Sequence, residues 1–279
     1  MNNGNNFILA YIPPDSSSGR IIAFTPGENI GDLTTDIYLP GNNDSILELS
    51  DRINIAGNKH GYRRVKSRKP ISIDQVLSSV ILAEAIKLIS SDESCSDDRI
   101  IIFSQGIMGL ALQLALIKKG LKHMVIAVDS ETQRGRTEEL NGGIILDTKD
   151  IGFIDHLKVE TEEQGFSTVF IASNRPEIVK IALGCAGVFG KIYLLSPVVG
   201  SVNADLNSTI NYKSLIVKGY NFTNHLCDLT EDDISMSFDK ITRLPLSKEI
   251  LLVNWNNWEE SIPAEDGDRF IFVQNNVVS

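Results

Sequence analysis

A glycine turn and an acidic residue stand at the two ends of a strand–helix–strand pattern in the middle of the chain. Residues 99–103 form a short apolar run, and residues 104–109, SQGIMG, follow it directly. Apolar residues then recur at helical spacing, and a second apolar run, residues 124–128, ends on Asp129. A glycine turn that opens a helix, followed by an acid at the end of the next strand, is the arrangement of a dinucleotide-binding unit.

In such a unit the turn would bind the pyrophosphate of the dinucleotide and the acid would bind the adenosine ribose. Gly106 lets the backbone approach a pyrophosphate, Gly109 lets the helix pack closely on the strand, and the helix N-terminus offers unpaired N–H groups. Asp129 can accept hydrogen bonds from an adenosine ribose and would repel a 2′-phosphate, which favours NAD over NADP. Ser104 replaces the first glycine of the full motif, so a unit that binds nothing remains the alternative. The turn residues expected to touch the coenzyme are Ser104, Gly106, Ile107, Met108 and Gly109.

The elements around this unit predict a doubly wound (Rossmann) α/β domain over residues 71–220. Continuous apolar runs of strand length alternate with helical patterns, as in a parallel sheet covered on both faces. The six predicted strands are residues 99–103, 124–128, 144–146, 167–172, 191–195 and 215–218. Four helices are predicted between them, from residue 107 to Gly120 and over residues 131–140, 151–163 and 176–185. We expect Gly187 or Gly190 to close the last of these helices. A further helix is expected to begin near Ser72, which has a capping-box partner at Gln75.

The two ends of the chain predict a small β-rich subdomain. Residues 1–70 are rich in Gly, Pro, Asn and Asp, and residues 221–279 are mixed in composition. Short runs with strand character lie at residues 7–12, 20–24, 36–39, 45–49, 250–253 and 269–273. We expect the last two runs to return to the N-terminal strands, so that one reduced subdomain is built from both ends.

Composition excludes several classes of function. Apolar residues make up 42% of the 279 residues and charged residues 22%, which is typical of a soluble globular protein. The net charge of −10 argues against nucleic-acid and anionic-membrane partners. No apolar run is long enough to span a bilayer, and residues 1–6 lack the pattern of a signal peptide. The three cysteines are far apart, which fits a cytoplasmic protein and excludes a C-x-x-C site.

Two charged features leave alternatives open. Residues 60–69 form the one basic run of the acidic chain, and they could hold an anionic substrate or guard the edge of a sheet. Glu84 and Lys87 lie three residues apart on a predicted helix, where they could act as an acid/base pair or form a surface couple.

From about residue 70 to residue 220 the succession of motifs resembles the coenzyme domain of the medium-chain dehydrogenase/reductases, the zinc alcohol dehydrogenase-like family. The glycine turn, Asp129 and Arg134 are followed by LNGG, residues 140–143, where the family has a Leu-Gly-Ala turn. The later segments GKIYLL and LIVKGY, residues 190–195 and 215–220, come in the family's order. The N-terminal subdomain would then be a remnant of the family's GroES-like domain.

The resemblance also implies positions for coenzyme-binding residues. Arg134 would lie on the adenine and Ser173 near the nicotinamide ribose. Residues 196–198 would lie beside the nicotinamide, which adds Ser196 and Pro197 to the expected site. No catalytic residue can be assigned from the resemblance.

The sequence departs from the family where zinc is concerned. The Gly-His-Glu zinc motif is absent, no cysteine precedes Cys95, and the cysteine cluster of the structural zinc is missing. His60, His123, His156 and His225 do not form a set with ligand spacing, and each is read as a surface or structural residue. We therefore expect no metal.

Two hypotheses of different class follow. The first is a zinc-independent NAD(H)-dependent oxidoreductase that acts on a small molecule, in a specialised biosynthetic pathway. The second is a nucleotide-binding pseudoenzyme or interaction protein that keeps the fold without redox chemistry. Elimination or isomerisation on the same scaffold is a further possibility, since the fold alone does not decide the chemistry.

The last predicted strand suggests a mode of assembly. Residues 215–218 would lie at the edge of the sheet, where an apolar strand can pair with another chain. The resembled family commonly joins such edges across a two-fold axis, which predicts a homodimer built on residues 191–220.

Overall fold

The computed structural model describes the helices and strands of the chain together with the shorter connections between them. The described residues are 7–12, 20–26, 35–40, 62–67, 73–90, 99–104, 107–121, 123–173, 175–195, 209–219, 230, 232–233, 237, 250–254 and 269–274. Within this part of the chain, none of the helices has the length and apolar character needed to cross a membrane.

The chain divides into two compact units. The first combines Met1–Glu84 with Phe222–Ser279, and the second is Ala85–Asn221. Helix α1, Ile73–Ser90, leads from the first unit into the second.

The first unit contains a six-stranded sheet made from both ends of the chain. Its strands are β1 (Phe7–Ile12), β2 (Arg20–Pro26), β3 (Thr35–Pro40), β4 (Tyr62–Ser67), β11 (Ile250–Asn254) and β12 (Arg269–Gln274). The order is β11-β12-β1-β2-β3-β4, with β12 antiparallel to β1. The predicted return of the C-terminal strands to the N-terminal ones is therefore confirmed. The predicted strand at 45–49 lies outside the described residues.

The second unit contains a six-stranded parallel sheet. Its strands are β5 (Ile100–Ser104), β6 (Met124–Val128), β7 (Ile144–Asp147), β8 (Phe166–Ala172), β9 (Ala186–Leu194) and β10 (Ile216–Gly219). Its helices are α2 (Ile107–Lys119), α3 (Glu131–Glu139), α4 (Phe153–Glu160) and α5 (Pro176–Cys185). The strand order β10-β9-β8-β5-β6-β7 is that of a doubly wound Rossmann sheet, which confirms the predicted fold class.

The order of this sheet reverses at β5, and that reversal determines where a ligand can bind. Strand β5 lies between β6 and β8, so the connections that leave its two sides run in opposite directions. In doubly wound sheets the crevice at the carboxyl ends of such strands is the usual ligand site. The residues that follow β5, β6 and β8 therefore meet at one edge of the sheet.

The central strands form the core because their side chains are apolar on both faces. Ile100, Ile101, Ile102 and Phe103 on β5 are all buried, and Phe103 packs edge-to-face on Phe153 of α4. Burial of each such side chain stabilises the fold by roughly 1.5–3 kcal/mol. The core thus fixes the strand ends that carry the polar residues described below.

Helix α2 ends as its sequence predicts. Gly120 has a φ of +97°, a conformation in which glycine carries no steric penalty. Its N–H donates to the Ile117 carbonyl at 3.0 Å, and the Leu121 N–H donates to the Leu116 carbonyl at 3.1 Å, which satisfies the last carbonyls of the helix.

The end of α5 differs from the prediction. Strand β9 begins at Ala186, directly after the helix, rather than at residue 191 beyond a closing glycine. The Lys213 Nζ atom donates to the carbonyls of Gly184 at 2.7 Å and Ala186 at 2.6 Å. A distant lysine thus supplies the cap that we expected from Gly187 or Gly190.

Helix α4 is also shorter than predicted. It ends at Glu160, because Glu162 and Glu163 have positive φ values of 50° and 63° that no helix can continue. The Thr161 hydroxyl donates to the Leu157 carbonyl at 3.0 Å and closes the last turn.

Candidate functional site

The candidate site is a cleft at the carboxyl ends of β5, β6 and β8. Its polar lining comes from Asp129 after β6, Thr148 after β7, and Ser173 and Arg175 after β8. Phe103 at the end of β5 contributes to its apolar lining. The three neighbouring strands bring together residues that are far apart in sequence, which is the arrangement that the strand order requires.

Asp129 forms an ion pair with Arg175. The Arg175 Nη2 atom donates to the Asp129 Oδ2 atom, and the two side chains are 31% and 12% exposed respectively. Because the carboxylate is largely withdrawn from water, the charge-assisted bond is stronger than a surface pair of the same residues. The acid predicted to hold a ribose therefore has a cationic partner within the cleft.

The backbone around Asp129 is fixed by the start of α3. Ser130 is the N-cap of that helix, and its hydroxyl accepts from the Gln133 N–H at 3.3 Å. The Gln133 side chain in turn accepts from the Asp129 N–H at 3.1 Å. This differs from a capping box in that the Gln133 side chain bonds the N–H of the residue before the N-cap, and it holds that residue, Asp129, in a defined position.

Arg175 is fixed in the same way at the start of α5. It is the N-cap residue, and Pro176 takes the first helical position. Its N–H donates to the Ser173 Oγ atom at 3.3 Å, while its carbonyl accepts from Ile178 at 3.1 Å and Val179 at 3.2 Å. Arg175 is thus anchored by its backbone near the carboxyl end of β8, and its side chain is directed to Asp129.

Ser173 lies at the site but is buried. Its side chain is 2% exposed, and its hydroxyl supports the backbone of Arg175. The resemblance placed Ser173 near the nicotinamide ribose; in the structure it lines the same cleft as Asp129 and organises the loop that carries Arg175.

Arg134 lies on α3 and faces the end of β7. Its Nη2 atom is 4.0 Å from Asp147 Oδ2, and its Nε atom is 3.9 Å from Glu131 Oε1. The Arg134 side chain is 28% exposed and lies beside the carboxyl end of β7.

The glycine turn is described in part. Ser104 ends β5 and Ile107 begins α2, so two residues of the chain, 105 and 106, separate the strand from the helix. Met108 is half-buried and Gly109 is buried within the first turns of α2. Gly106, together with Ser196 and Pro197, lies outside the described residues.

The described residues leave little space at this cleft. About 170 Å³ lies between them, and that figure includes the open mouth. The Arg175 side chain is one of the groups that fill it. A ribose could reach Asp129 only if the guanidinium shifts or shares the carboxylate.

Arg175 lines the cleft although the sequence patterns give it no role. They predict a strand over residues 167–172 and a helix from Pro176, and they leave the charged residue between them unassigned. The available signal was its position, because residues that follow β6 and β8 lie on the same edge of the sheet.

The other candidate groups do not converge on this cleft. Glu84 is fully buried and Lys87 half-buried, so the two residues do not form a surface couple; α1 is apolar around most of its circumference. His123 and His156 are exposed, and His60 and His225 lie outside the described residues. Within the described residues, no group of three His, Cys, Asp or Glu side chains could hold a metal ion.

Two further sequence features have a structural place. Of the basic run, Tyr62–Ser67 forms β4, the last strand of the first sheet among those described. Cys185 lies at the end of α5, where burial raises the pKa of its thiol to about 12 despite the opposing charge of Lys213. A thiol that stays protonated at neutral pH is not a nucleophile.

Comparison with known proteins identifies the fold. No protein-family model and no curated protein sequence matches the chain. Solved structures do match it: (2R,3R)-butanediol dehydrogenase from Bacillus subtilis is 16% identical with a TM-score of 0.63, over 99% of this chain and 94% of that chain. A short-chain alcohol dehydrogenase from Escherichia coli complexed with NADH is 12% identical with a TM-score of 0.64, over 98% and 92%.

A zinc-binding dehydrogenase from Sinorhizobium meliloti bound to NADP gives a similar match. It is 14% identical with a TM-score of 0.61, over 98% of this chain and 93% of that chain. These likenesses establish the fold, which is the one predicted from the resemblance to the medium-chain dehydrogenase/reductases.

Proposed function

We propose that the chain is an oxidoreductase that uses NAD(H) and acts on a small molecule. The observation that carries the proposal is Asp129, a largely buried carboxylate in the cleft at the carboxyl ends of β5, β6 and β8. A carboxylate at the end of the second strand of such a sheet accepts from the hydroxyls of an adenosine ribose. The dehydrogenases of the same fold that carry NADH or NADP support a nicotinamide coenzyme.

The residues of the cleft have the donor and acceptor chemistry that the adenosine half requires. Asp129 would accept from the ribose, Arg134 would stack on the adenine, and the N-terminus of α2 would receive the pyrophosphate. The coenzyme would supply the hydride acceptor or donor, and the chain would orient the nicotinamide and exclude water.

We propose that the reaction is zinc-independent and belongs to a specialised biosynthetic pathway in the cytoplasm. The absence of the Gly-His-Glu motif and of any cysteine before Cys95 supports a zinc-free site. Another electrophile, such as a Tyr or Lys side chain or a bound water molecule, would then polarise the substrate carbonyl.

A second candidate is a nucleotide-binding protein without redox chemistry. The occupation of the cleft by Arg175 and the missing first glycine of the turn favour it. The two candidates differ in whether bound nicotinamide changes oxidation state when substrates are added.

The test begins with the purified protein. Its absorbance should reveal any retained nicotinamide, and titration with NADH should enhance the fluorescence of the coenzyme with a saturable curve. A panel of alcohols and ketones, followed through the nicotinamide absorbance, should then identify turnover. Saturable binding of NADH without turnover of any alcohol or ketone would favour the second candidate, and the absence of NADH binding would overturn both.

We further propose that the chain assembles as a homodimer through β10. Ile216 and Val217 on this strand are 46% and 37% exposed, and β10 is the last strand of the second sheet among those described. An exposed apolar edge strand favours pairing with a second copy.

A further inference from the structure

The ion pair between Asp129 and Arg175 changes what the cleft can recognise. An acid alone at this position would repel a 2′-phosphate, and the cleft would discriminate against NADP(H). Here the guanidinium compensates the charge of the acid, and it lies inside the same cleft. The electrostatic reason for rejecting a phosphate is therefore largely cancelled within the site itself.

The position of Arg175 suits it to be a phosphate ligand. Its backbone is anchored by the Ser173 hydroxyl and by the first turn of α5, so the side chain starts from a fixed point at the rim of the cleft. Its guanidinium is 31% exposed, and its Nε atom lies 3.8 Å from the Glu177 carboxylate. The planar fork of an arginine binds two phosphate oxygens at once, and it can exchange one anionic partner for another with little loss.

Apart from the exposed Glu177 carboxylate, 3.8 Å from Arg175 Nε, the remaining charges at this edge are of both signs. Arg134 lies between the carboxylates of Glu131 and Asp147, so that neighbourhood contains both signs of charge. Thr148, which also lines the cleft, is neutral.

We propose that Arg175 sets the coenzyme choice of this cleft. While Arg175 is paired with Asp129, its guanidinium neutralises the acid. When the guanidinium is released from Asp129, it binds the 2′-phosphate of an adenosine, so the cleft accepts NADP(H) alongside NAD(H). This inference rests on the proposed function, because it concerns the same adenosine-binding site.

The experiment uses fragments that contain only the adenosine half of each coenzyme. The dissociation constants of 5′-AMP and of adenosine 2′,5′-bisphosphate are measured by calorimetry on the full chain and on its Arg175→Met variant. In the native protein the two constants should lie within about tenfold of each other. In the variant the dissociation constant of the bisphosphate should rise at least about tenfold, as expected when a charge-assisted bond to phosphate is lost. The dissociation constant of 5′-AMP should stay the same or fall.

Two further variants make the test independent of any loss of folding in the first. Asp129→Asn releases the guanidinium, so the bisphosphate should bind more tightly and 5′-AMP more weakly. Lys158→Met is the matched control: it also removes a cation paired with an aspartate, at 3.1 Å from Asp155, but on the exposed face of α4. It should leave both dissociation constants unchanged.

The outcomes separate this inference from the proposed function. Suppose that both fragments bind the native protein. If Arg175→Met and Asp129→Asn then each change the two dissociation constants by the same factor, the assignment of Arg175 is overturned while the coenzyme site stands. A native preference for 5′-AMP of more than about a hundredfold would overturn it as well. If neither fragment binds the native protein, the proposed function itself fails.

Discussion

Replacement of Asp129 by alanine should weaken the binding of NADH. The Asp129 carboxylate is 12% exposed and lies in the cleft where the adenosine ribose would bind. Because its Oδ2 atom accepts from Arg175, we count one ribose hydrogen bond to the carboxylate rather than two. A hydrogen bond to a charged group contributes about 1.5–3 kcal/mol, and the lower end applies to a shared carboxylate, so the dissociation constant should rise about tenfold.

Titration of NADH fluorescence with protein measures this change, and the native chain and the variant should be compared at one salt concentration. Asp155→Ala is a suitable control, because Asp155 is also paired with a cation but lies on the exposed face of α4. The same variant of Asp129 should bind NADPH as tightly as the native protein or more tightly, since it removes the carboxylate that pairs with Arg175 inside the cleft. An unchanged NADH constant in a variant with native circular dichroism would refute the assignment of Asp129 to the ribose.

Four further predictions concern stability, reactivity, metal content and assembly. Lys213→Met removes two charge-assisted bonds at the end of α5, at 2.7 and 2.6 Å, and should lower the free energy of unfolding by about 1–2 kcal/mol in urea titration, whereas Lys180→Met on the exposed face of the same helix should not. Cys185 is only partly buried by surface area, but the pKa of its thiol is raised to about 12, so at pH 8 iodoacetamide should alkylate Cys185 far more slowly in the native protein than in the unfolded chain; equal rates would contradict the raised pKa. Purified, untagged protein should contain well under one zinc per chain by elemental analysis, and stoichiometric zinc would refute the zinc-free proposal. Light scattering over a dilution series should give the mass of a dimer, and a mass near the 30.7 kDa of one chain at micromolar concentration would refute the proposed pairing.

The fold was predictable because it depends on short-range patterns of apolar and turn residues that can be recognised in the sequence. The two central strands of the second unit are apolar over residues 100–103 and 124–128, and α2 has a local stop in Gly120, with its φ of +97°. The order of strand and helix then leaves few topologies for a parallel sheet. The mistaken end of α5 depends on a partner distant in sequence, Lys213, whereas α4 ends at the positive φ values of Glu162 and Glu163, which the residue types there did not indicate.

The same reasoning explains why the candidate site was predicted in part. Asp129 could be assigned because it directly follows a buried strand, which is a local pattern. Its pairing with Arg175 could not, because the two residues are 46 positions apart and meet only through the placement of β6 and β8 on either side of β5. The charge of an acid in such a cleft therefore cannot be interpreted alone. In a doubly wound sheet the residue after the second strand and the residue after the fourth strand face one ligand, so coenzyme choice depends on both loops together.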